Sequence, residues 1–247
     1  MRFLRSILTI FCFGLFGIGG FFIGTLIFSI IILFFHGQKQ RFILANTVHF
    51  SWILFVKIMV FLRLIRVEVQ KKKSFNDTKG TIIVANHPTL LDIVLIISVV
   101  PNCVCLVKSS LAKNFFIKHI IQRIYLINDT SADIFLEKAQ SLLSQGLNIV
   151  IFPEGTRTDF SKKQNLWHRG FAHLALRSKA PVLPVKISCT PQILGKGQKW
   201  YAVDRCTVLY RLCFLSPVKD VIQPNLPERV QIKSFAEDIR AKLFKNN

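Results

Sequence analysis

Acid is scarce in this chain. Asp and Glu number 13 against 33 Lys and Arg, a formal net charge of +20, and Glu68 is the only acidic residue among the first 70. So basic a chain calls for anionic partners: lipid headgroups, phosphorylated substrates, acidic carrier proteins or nucleic acid. Charge of either sign is missing from Ile7 to Phe35, a run of 29 positions. A bilayer core needs about 20. The run is too long for the apolar part of a signal peptide, and no small-x-small cleavage site follows it closely. No C-x2-C pair occurs among Cys12, Cys103, Cys105, Cys189, Cys206 and Cys213, which excludes a zinc site or disulfide frame and leaves six small apolar residues in a reducing compartment. Internal repeats and low-complexity tracts are absent. So are a recognition helix, an RNA-binding aromatic block and zinc spacing, and the aromatics concentrate away from the basic runs, so no nucleic acid is expected as a partner.

What is present is apolar. Hydrophobic residues make up 51% of the 247, with 23 Phe, the composition of a membrane-associated protein. Residues 1–70 read as an N-terminal membrane-associated two-helix segment. Its first run carries Gly14, Gly17, Gly19, Gly20 and Gly24, which permit close packing of another helix. Its second, Phe42 to Val67, includes Asn46, His49, Lys57, Arg63 and Arg66 and reads as a basic amphipathic helix at the interface, with His49 a headgroup neighbour. Cations flank the first run on both sides, at Arg2 and Arg5 and at Lys39 and Arg41, so charge sets no orientation for a single crossing. A hairpin dipping into one leaflet keeps every cation on the cytoplasmic side. The expected location is a bacterial inner membrane with residues 71–247 cytoplasmic.

After the polar link at Lys71-Lys72-Lys73 the pattern alternates, and residues 71–247 read as one α/β domain. Strands are expected at Thr81–Ala85, Cys103–Lys108, Arg123–Ile127, Asn148–Phe152, Val182–Ile187 and Arg205–Cys213. Helices are expected at Leu90–Val99, Leu111–Ile121, Ser131–Ser144, His168–Lys179 and Gln231–Phe244, with Gly146 a left-handed cap. The implied fold is a mixed, mostly parallel sheet covered by helices.

Two stretches carry chemistry. Val84-Ala85-Asn86-His87-Pro88-Thr89-Leu90-Leu91-Asp92 lies where a strand turns into a helix. Pro88 biases His87 to an extended conformation, and Asp92 in the first helical turn can reach back to its imidazole as the orienting member of a general base. Thr89-Leu90-Leu91-Asp92 equally fits a capping box. The second stretch, Pro153-Glu154-Gly155-Thr156-Arg157-Thr158, follows the strand that ends at Phe152, so both lie beyond strand carboxyl ends, where ligands gather in α/β sheets. Gly155 allows close backbone approach, Thr156 offers a hydroxyl, and Arg157 can grip a phosphate in bidentate fashion. A surface turn with a Glu154–Arg157 pair is the other reading.

Together, in this order and about sixty residues apart, the two stretches resemble the lysophospholipid acyltransferases, the 1-acylglycerol-3-phosphate acyltransferases and their glycerolipid relatives. Val182-Leu183-Pro184-Val185 looks like that family's fourth block. The resemblance implies a membrane-bound O-acyltransferase moving an acyl group from acyl-CoA or acyl carrier protein to the hydroxyl of a lysolipid acceptor, foremost 1-acylglycerol-3-phosphate, giving phosphatidate. By the same resemblance, His87 is the base, Asp92 orients it, and Asn86, Glu154, Gly155, Thr156, Arg157 and Lys108 bind substrate. Neither metal nor cofactor is implied. One block departs: Asp129 stands where the family carries a phosphate-gripping arginine. Lys108, Lys113, Lys118 and Arg123 are the cations that could replace it, and a lyso-aminolipid, glycerol-3-phosphate or a specialised polyene-type lipid becomes the alternative acceptor. His168 and Arg169 could also line the crevice, against a plain solvent-facing reading.

Overall fold

A computed structural model describes residues 2–70, 75, 78–108, 113–115, 118–128, 131–161, 165–199, 206–219 and 226–244, apart from the side chains of Arg2, Lys108, Asn128 and Ala132. Its strands are β1 (Ile65–Gln70), β2 (Ile82–Ala85), β3 (Cys103–Lys108), β4 (Leu126–Asn128), β5 (Asn148–Ile151), β6 (Val182–Thr190) and β7 (Val208–Phe214). They form one seven-stranded sheet in the order β1-β7-β6-β2-β5-β3-β4. Only β6 and β7 pair antiparallel; the other five pairs are parallel. β2 and β5 bury every residue, as parallel strands covered on both faces do; all are apolar but Asn148, whose amide accepts from Thr81 N–H and donates to the carbonyls of Thr78 and Pro101. Helices α4 (Asp92–Val99), α5 (Lys118–Ile124), α6 (Ala132–Ser144), α7 (Gly170–Ser178) and α8 (Glu228–Phe244) connect and cover these strands. The sheet is mixed, mostly parallel and helix-covered.

The N-terminal chain forms α1 (Arg2–Phe22), a π-helical turn over Ile23–Ile27, α2 (Phe28–Phe34) and α3 (Gly37–Phe61). Two stretches, Phe3–Phe34 and Gly37–Phe61, are long and apolar enough to cross a membrane. On α1, Phe3, Ile7, Ile10, Phe11, Ile18 and Phe22 are exposed. Both ends of this first helical run are tied to the sheet body. Arg5 donates to the carbonyls of Arg63 at 3.1 Å and Cys206 at 2.7 Å. Arg123 donates to the carbonyl of Gly24 at 3.1 Å and to the Ser29 hydroxyl at 3.4 Å.

Several sequence expectations need correction here. The second apolar run is helical only to Phe61, and Arg63, at φ +54, turns the chain into β1. The sheet therefore begins at Ile65, ahead of the boundary drawn after residue 70. Two polar residues of α3 dock it onto the body: Asn46 donates to Asn102 Oδ1 at 3.0 Å, and His49 Nδ1 pairs with the carbonyl of Ile97. Gly14 and Gly19 face open space, whereas a Cβ on Gly24 would meet His119 and Ile120 atoms at 3.1 Å. Arg123 belongs to α5 and not to a strand. Gly146, at φ +89, does adopt the left-handed turn expected after α6. Of the cysteines, Cys206 is exposed and Cys213 half-buried. Cys103 and Cys105 are buried in β3, and burial pushes the Cys105 thiol up to about 12, so neither is a nucleophile.

Candidate active site

β2 delivers His87 to the edge of the sheet, where the backbone must stop pairing. Its imidazole Nδ1 lies 2.8 Å from Asp92 Oδ2 at the start of α4. A carboxylate can only accept, so Nδ1 carries the proton and Nε2 is left as the basic nitrogen. The Asp92 side chain is 0% exposed and that of His87 19%. Oδ2 also accepts the Thr89 backbone N–H at 2.7 Å, and the Thr89 hydroxyl donates to Oδ1 at 2.6 Å. The capping contact and the His–Asp pair thus coexist in one carboxylate. Burial pushes the Asp92 carboxyl up, and the hydrogen bonds from His87 and Thr89 pull against it.

The second stretch clamps the first. His87 N–H donates to Glu154 Oε1 at 3.1 Å, Thr158 N–H donates to the His87 carbonyl at 2.7 Å, and the Thr158 hydroxyl donates to Glu154 Oε1 at 2.8 Å. The backbone N–H and carbonyl of His87 are therefore both held by the loop after β5. Phe152 stacks on the imidazole with centroids 4.2 Å apart and 20° between planes. Asn86 spends its amide on β6, donating to the Ile187 carbonyl at 2.8 Å and accepting its N–H at 2.7 Å. Asn86 and Glu154, expected to touch substrate, are both buried and sit behind His87 as its braces.

Gly155 and Thr156 are exposed and line the same cavity as His87. Gly155 has φ +63, and a side chain there would meet the His168 ring at 3.2–3.3 Å, so the position favours glycine twice over. His168 thus packs on this loop, with its N–H donating to the Pro153 carbonyl at 2.8 Å. Arg157 is half-buried and lines the cavity, but its Nη1 donates to the carbonyls of Leu194 at 2.9 Å and Gly195 at 2.8 Å. That β6–β7 loop also reaches the first stretch: Gln192 Nε2 donates to the Pro88 carbonyl at 2.8 Å, and Leu90 N–H to Leu194 at 3.2 Å. Lys108 ends β3, but its side chain lies outside the described residues, as does Asp129. Arg123 is committed to the N-terminal helix, and Lys118 lies over the Phe115 ring at 5.6 Å. Among the described residues, no three of His, Cys, Asp and Glu gather as a metal site.

Thr158, Phe152 and the 192–195 loop are the parts of the site that sequence reasoning passed over. Thr158 closes the second stretch and Phe152 directly precedes it, so proximity was a usable signal for both, though neither was given a role. Nothing in the sequence marks the loop.

Glu154 Oε2 is buried with no hydrogen-bond partner among the described residues. Burial pushes this carboxyl up against the bonds from Thr158 and His87. A carboxyl raised in the folded state stabilises most below its unfolded value, near 4.5, and that contribution is lost as pH rises through the folded value. Glu154→Gln keeps the oxygen that His87 and Thr158 need and never ionises. Its melting temperature relative to wild type is therefore expected to climb between pH 4 and 8, by about 2–4 °C for each 1 kcal/mol involved. A pH-independent difference in thermal melts would refute the assignment.

The cavity that His87 lines measures about 660 Å³ and is walled mostly by apolar side chains, among them residues of α1, α3 and the strand ends. Its size is that of a small-molecule site. Comparison with known proteins agrees with this geometry. The sequence profile described as Acyltransferase matches residues 66–188. The 1-acyl-sn-glycerol-3-phosphate acyltransferase alpha of Ovis aries is 28% identical over 151 residues, covering 58% of this chain and 52% of that protein. The 1-acyl-sn-glycerol-3-phosphate acyltransferase of Cocos nucifera is 32% identical over 154 residues, covering 59% and 47%. The chain thus spans about half the length of these curated relatives. In fold, the crystal structure of the 1-acyl-sn-glycerophosphate (LPA) acyltransferase PlsC from Thermotoga maritima superposes with a TM-score of 0.72 at 21% identity, covering 100% of both chains.

Proposed function

The chain belongs to the acyltransferase family, and from that premise we propose that it moves an acyl group from acyl-CoA or acyl carrier protein to the free hydroxyl of 1-acylglycerol-3-phosphate, giving phosphatidate. The observation that carries this reading is the His87–Asp92 pair, whose imidazole lines an apolar cavity together with Gly155, Thr156 and Arg157. His87 Nε2 takes the hydroxyl proton of the acceptor as its oxygen attacks the thioester carbonyl. The C–O bond forms, the C–S bond breaks, and the imidazolium returns the proton to the departing thiolate. A thioester is already activated, so one general base, worth about 10²–10⁴-fold, together with positioning is sufficient help. The donor is a substrate, and no resident cofactor takes part. The apolar cavity receives acyl chain; Gly155, Thr156 and the remaining nitrogens of Arg157 receive the acceptor headgroup.

The same reading puts the protein on a membrane, the inner membrane of a bacterium, with the catalytic domain cytoplasmic. Because both ends of the first helical run are bonded to the sheet body, that run lies along the body and presents its exposed apolar face to one leaflet.

A second acceptor class is favoured by one observation. Arg157 already gives Nη1 to two carbonyls, which suits a less anionic headgroup, that of a lyso-aminolipid or a specialised polyene-type lipid; glycerol-3-phosphate carries the same phosphate as lysophosphatidate and gains nothing from it. Purified protein offered a panel of lysolipids with both donors decides. Transfer to another acceptor and none to lysophosphatidate would sink the first reading. Arg157→Ala is expected to raise the acceptor KM about 10–100-fold, the effect of losing one charged hydrogen bond, with a smaller change in donor KM. An unchanged acceptor KM in steady-state assays counts against the headgroup role.

A further inference from the structure

We propose that Tyr210 is a positioning residue for the acyl transfer: its hydroxyl donates to Thr89 Oγ1 and, through it, holds Asp92 as a carboxylate while His87 carries the acceptor's proton. This rests on the acyl-transfer reading above. Tyr210 stands on β7, two strands from β2 in the sheet order, and is 0% exposed. Three placements bring it to the back of the His–Asp pair. On β6, Ile187 is gripped through its N–H and carbonyl by Asn86, the residue before His87. Cys189 lies two residues further along, on the same face of the strand, and pairs across with Tyr210. The segment after β6 then folds over the turn, Gln192 Nε2 reaching the Pro88 carbonyl at 2.8 Å. Burial pushes the Tyr210 phenol up, the charges of Cys189 and Asp92 add to the rise, and the Thr89 hydroxyl works against it. All three groups therefore stand around the phenol oxygen.

The phenol hydroxyl is buried and has no hydrogen-bond partner among the described residues. A buried hydroxyl left unpaired costs stability that phenylalanine would not, so the resting geometry gives no reason for an oxygen at this position. Thr89 supplies an open acceptor. Its hydroxyl proton goes to Asp92 Oδ1 at 2.6 Å, and one lone pair takes the Leu91 N–H at 3.2 Å. A threonine oxygen has a second lone pair. Cys189 is the weaker acceptor, a thiol already turned to the Pro191 carbonyl at 3.3 Å. Burial works against the Asp92 carboxylate, yet the imidazolium that forms when Nε2 takes a proton needs that charge beside it. A donor on Thr89 Oγ1 makes the Thr89 hydroxyl a stronger donor in its turn. Hydrogen bonds of this kind are often long in the resting enzyme and tighten as charge develops. Tyr210 gives up no proton; it orients and polarises.

The test uses the full-length protein in lipid vesicles and measures kcat, both KM values and thermal melts. Tyr210→Phe keeps the ring and removes the oxygen. Its kcat is expected to fall about 3–10-fold, the worth of one neutral hydrogen bond. Both KM values should hold, since Tyr210, Thr89 and Asp92 are not among the residues lining the cavity. The melting temperature should match or exceed wild type, because an unpaired buried hydroxyl has gone. A hydroxyl that served stability alone would show the opposite pattern, a lower melting temperature with kcat unchanged. Coupling decides the route. In a Thr89→Val background, or in Asp92→Asn should that variant not fold, the same Tyr210→Phe change is expected to alter kcat by less than about twofold. An unchanged kcat in Tyr210→Phe alone, a loss confined to KM, or a loss of equal size in those backgrounds overturns the assignment. Absence of transfer by the wild-type protein to every acceptor would instead defeat the acyl-transfer reading on which this one stands.

Discussion

Replacing His87 with alanine is expected to lower acyl transfer by about 10²–10⁴-fold, the contribution of a positioned general base, while leaving the fold and vesicle binding in place. The structural reason for the second half is specific. The clamp on His87 uses its backbone: the N–H to Glu154 and the carbonyl to Thr158. Alanine keeps both. The imidazole loses its stack on Phe152 and its bond to Asp92, but Asp92 retains the Thr89 N–H and hydroxyl. Burial already pushes the Asp92 carboxyl up, so without its imidazole partner it takes a proton more readily instead of standing as a bare buried charge. Circular dichroism, thermal melting and flotation with vesicles should match wild type to within a few degrees and a few per cent. A variant that transfers acyl groups at the wild-type rate would remove His87 from the chemistry.

Much of this was legible in the sequence, for identifiable reasons. β2 and β5 stood out because strands buried on both faces must be continuous runs such as Ile82-Ile83-Val84 and Asn148-Ile149-Val150-Ile151. The ends of β3 matched the expected residues. β1 was hidden because Ile65-Arg66-Val67 follows an apolar helix with no Gly or Pro between them; the break is made by Arg63 in a left-handed conformation, which no residue type there announces. The inward turn of Asn86 and Glu154 was also unreadable. Asn86 finds its partner 101 residues away on β6, and Glu154 meets His87 67 residues back. Motif residues named for substrate binding became braces because the neighbouring strand, not the motif, sets which way they face. The same holds for Arg157, whose Nη1 is drawn to a loop that carries no local signal.

Asp92→Asn is the second large effect, and its size tests how the pair works. An amide offers one oxygen and one NH₂, so its orientation decides whether His87 keeps its proton on Nδ1. The Thr89 N–H, 2.7 Å from Oδ2, can only donate, so it holds the amide oxygen on the His87 side. The NH₂ then faces the Thr89 hydroxyl, which is able to accept. The useful tautomer survives, and what is lost is the negative charge that supports the imidazolium as it forms. The expected loss is on the order of 10²-fold in kcat, within the range for removing support from a general base. KM should stay unchanged, because Asp92 is 0% exposed and touches no substrate. Asp92→Ala removes orientation as well as charge and is expected to fall to about the level of His87→Ala. Equal kcat values for Asp92→Asn and Asp92→Ala would show that an oriented acceptor without the charge gives no help, and would overturn the separate orienting role.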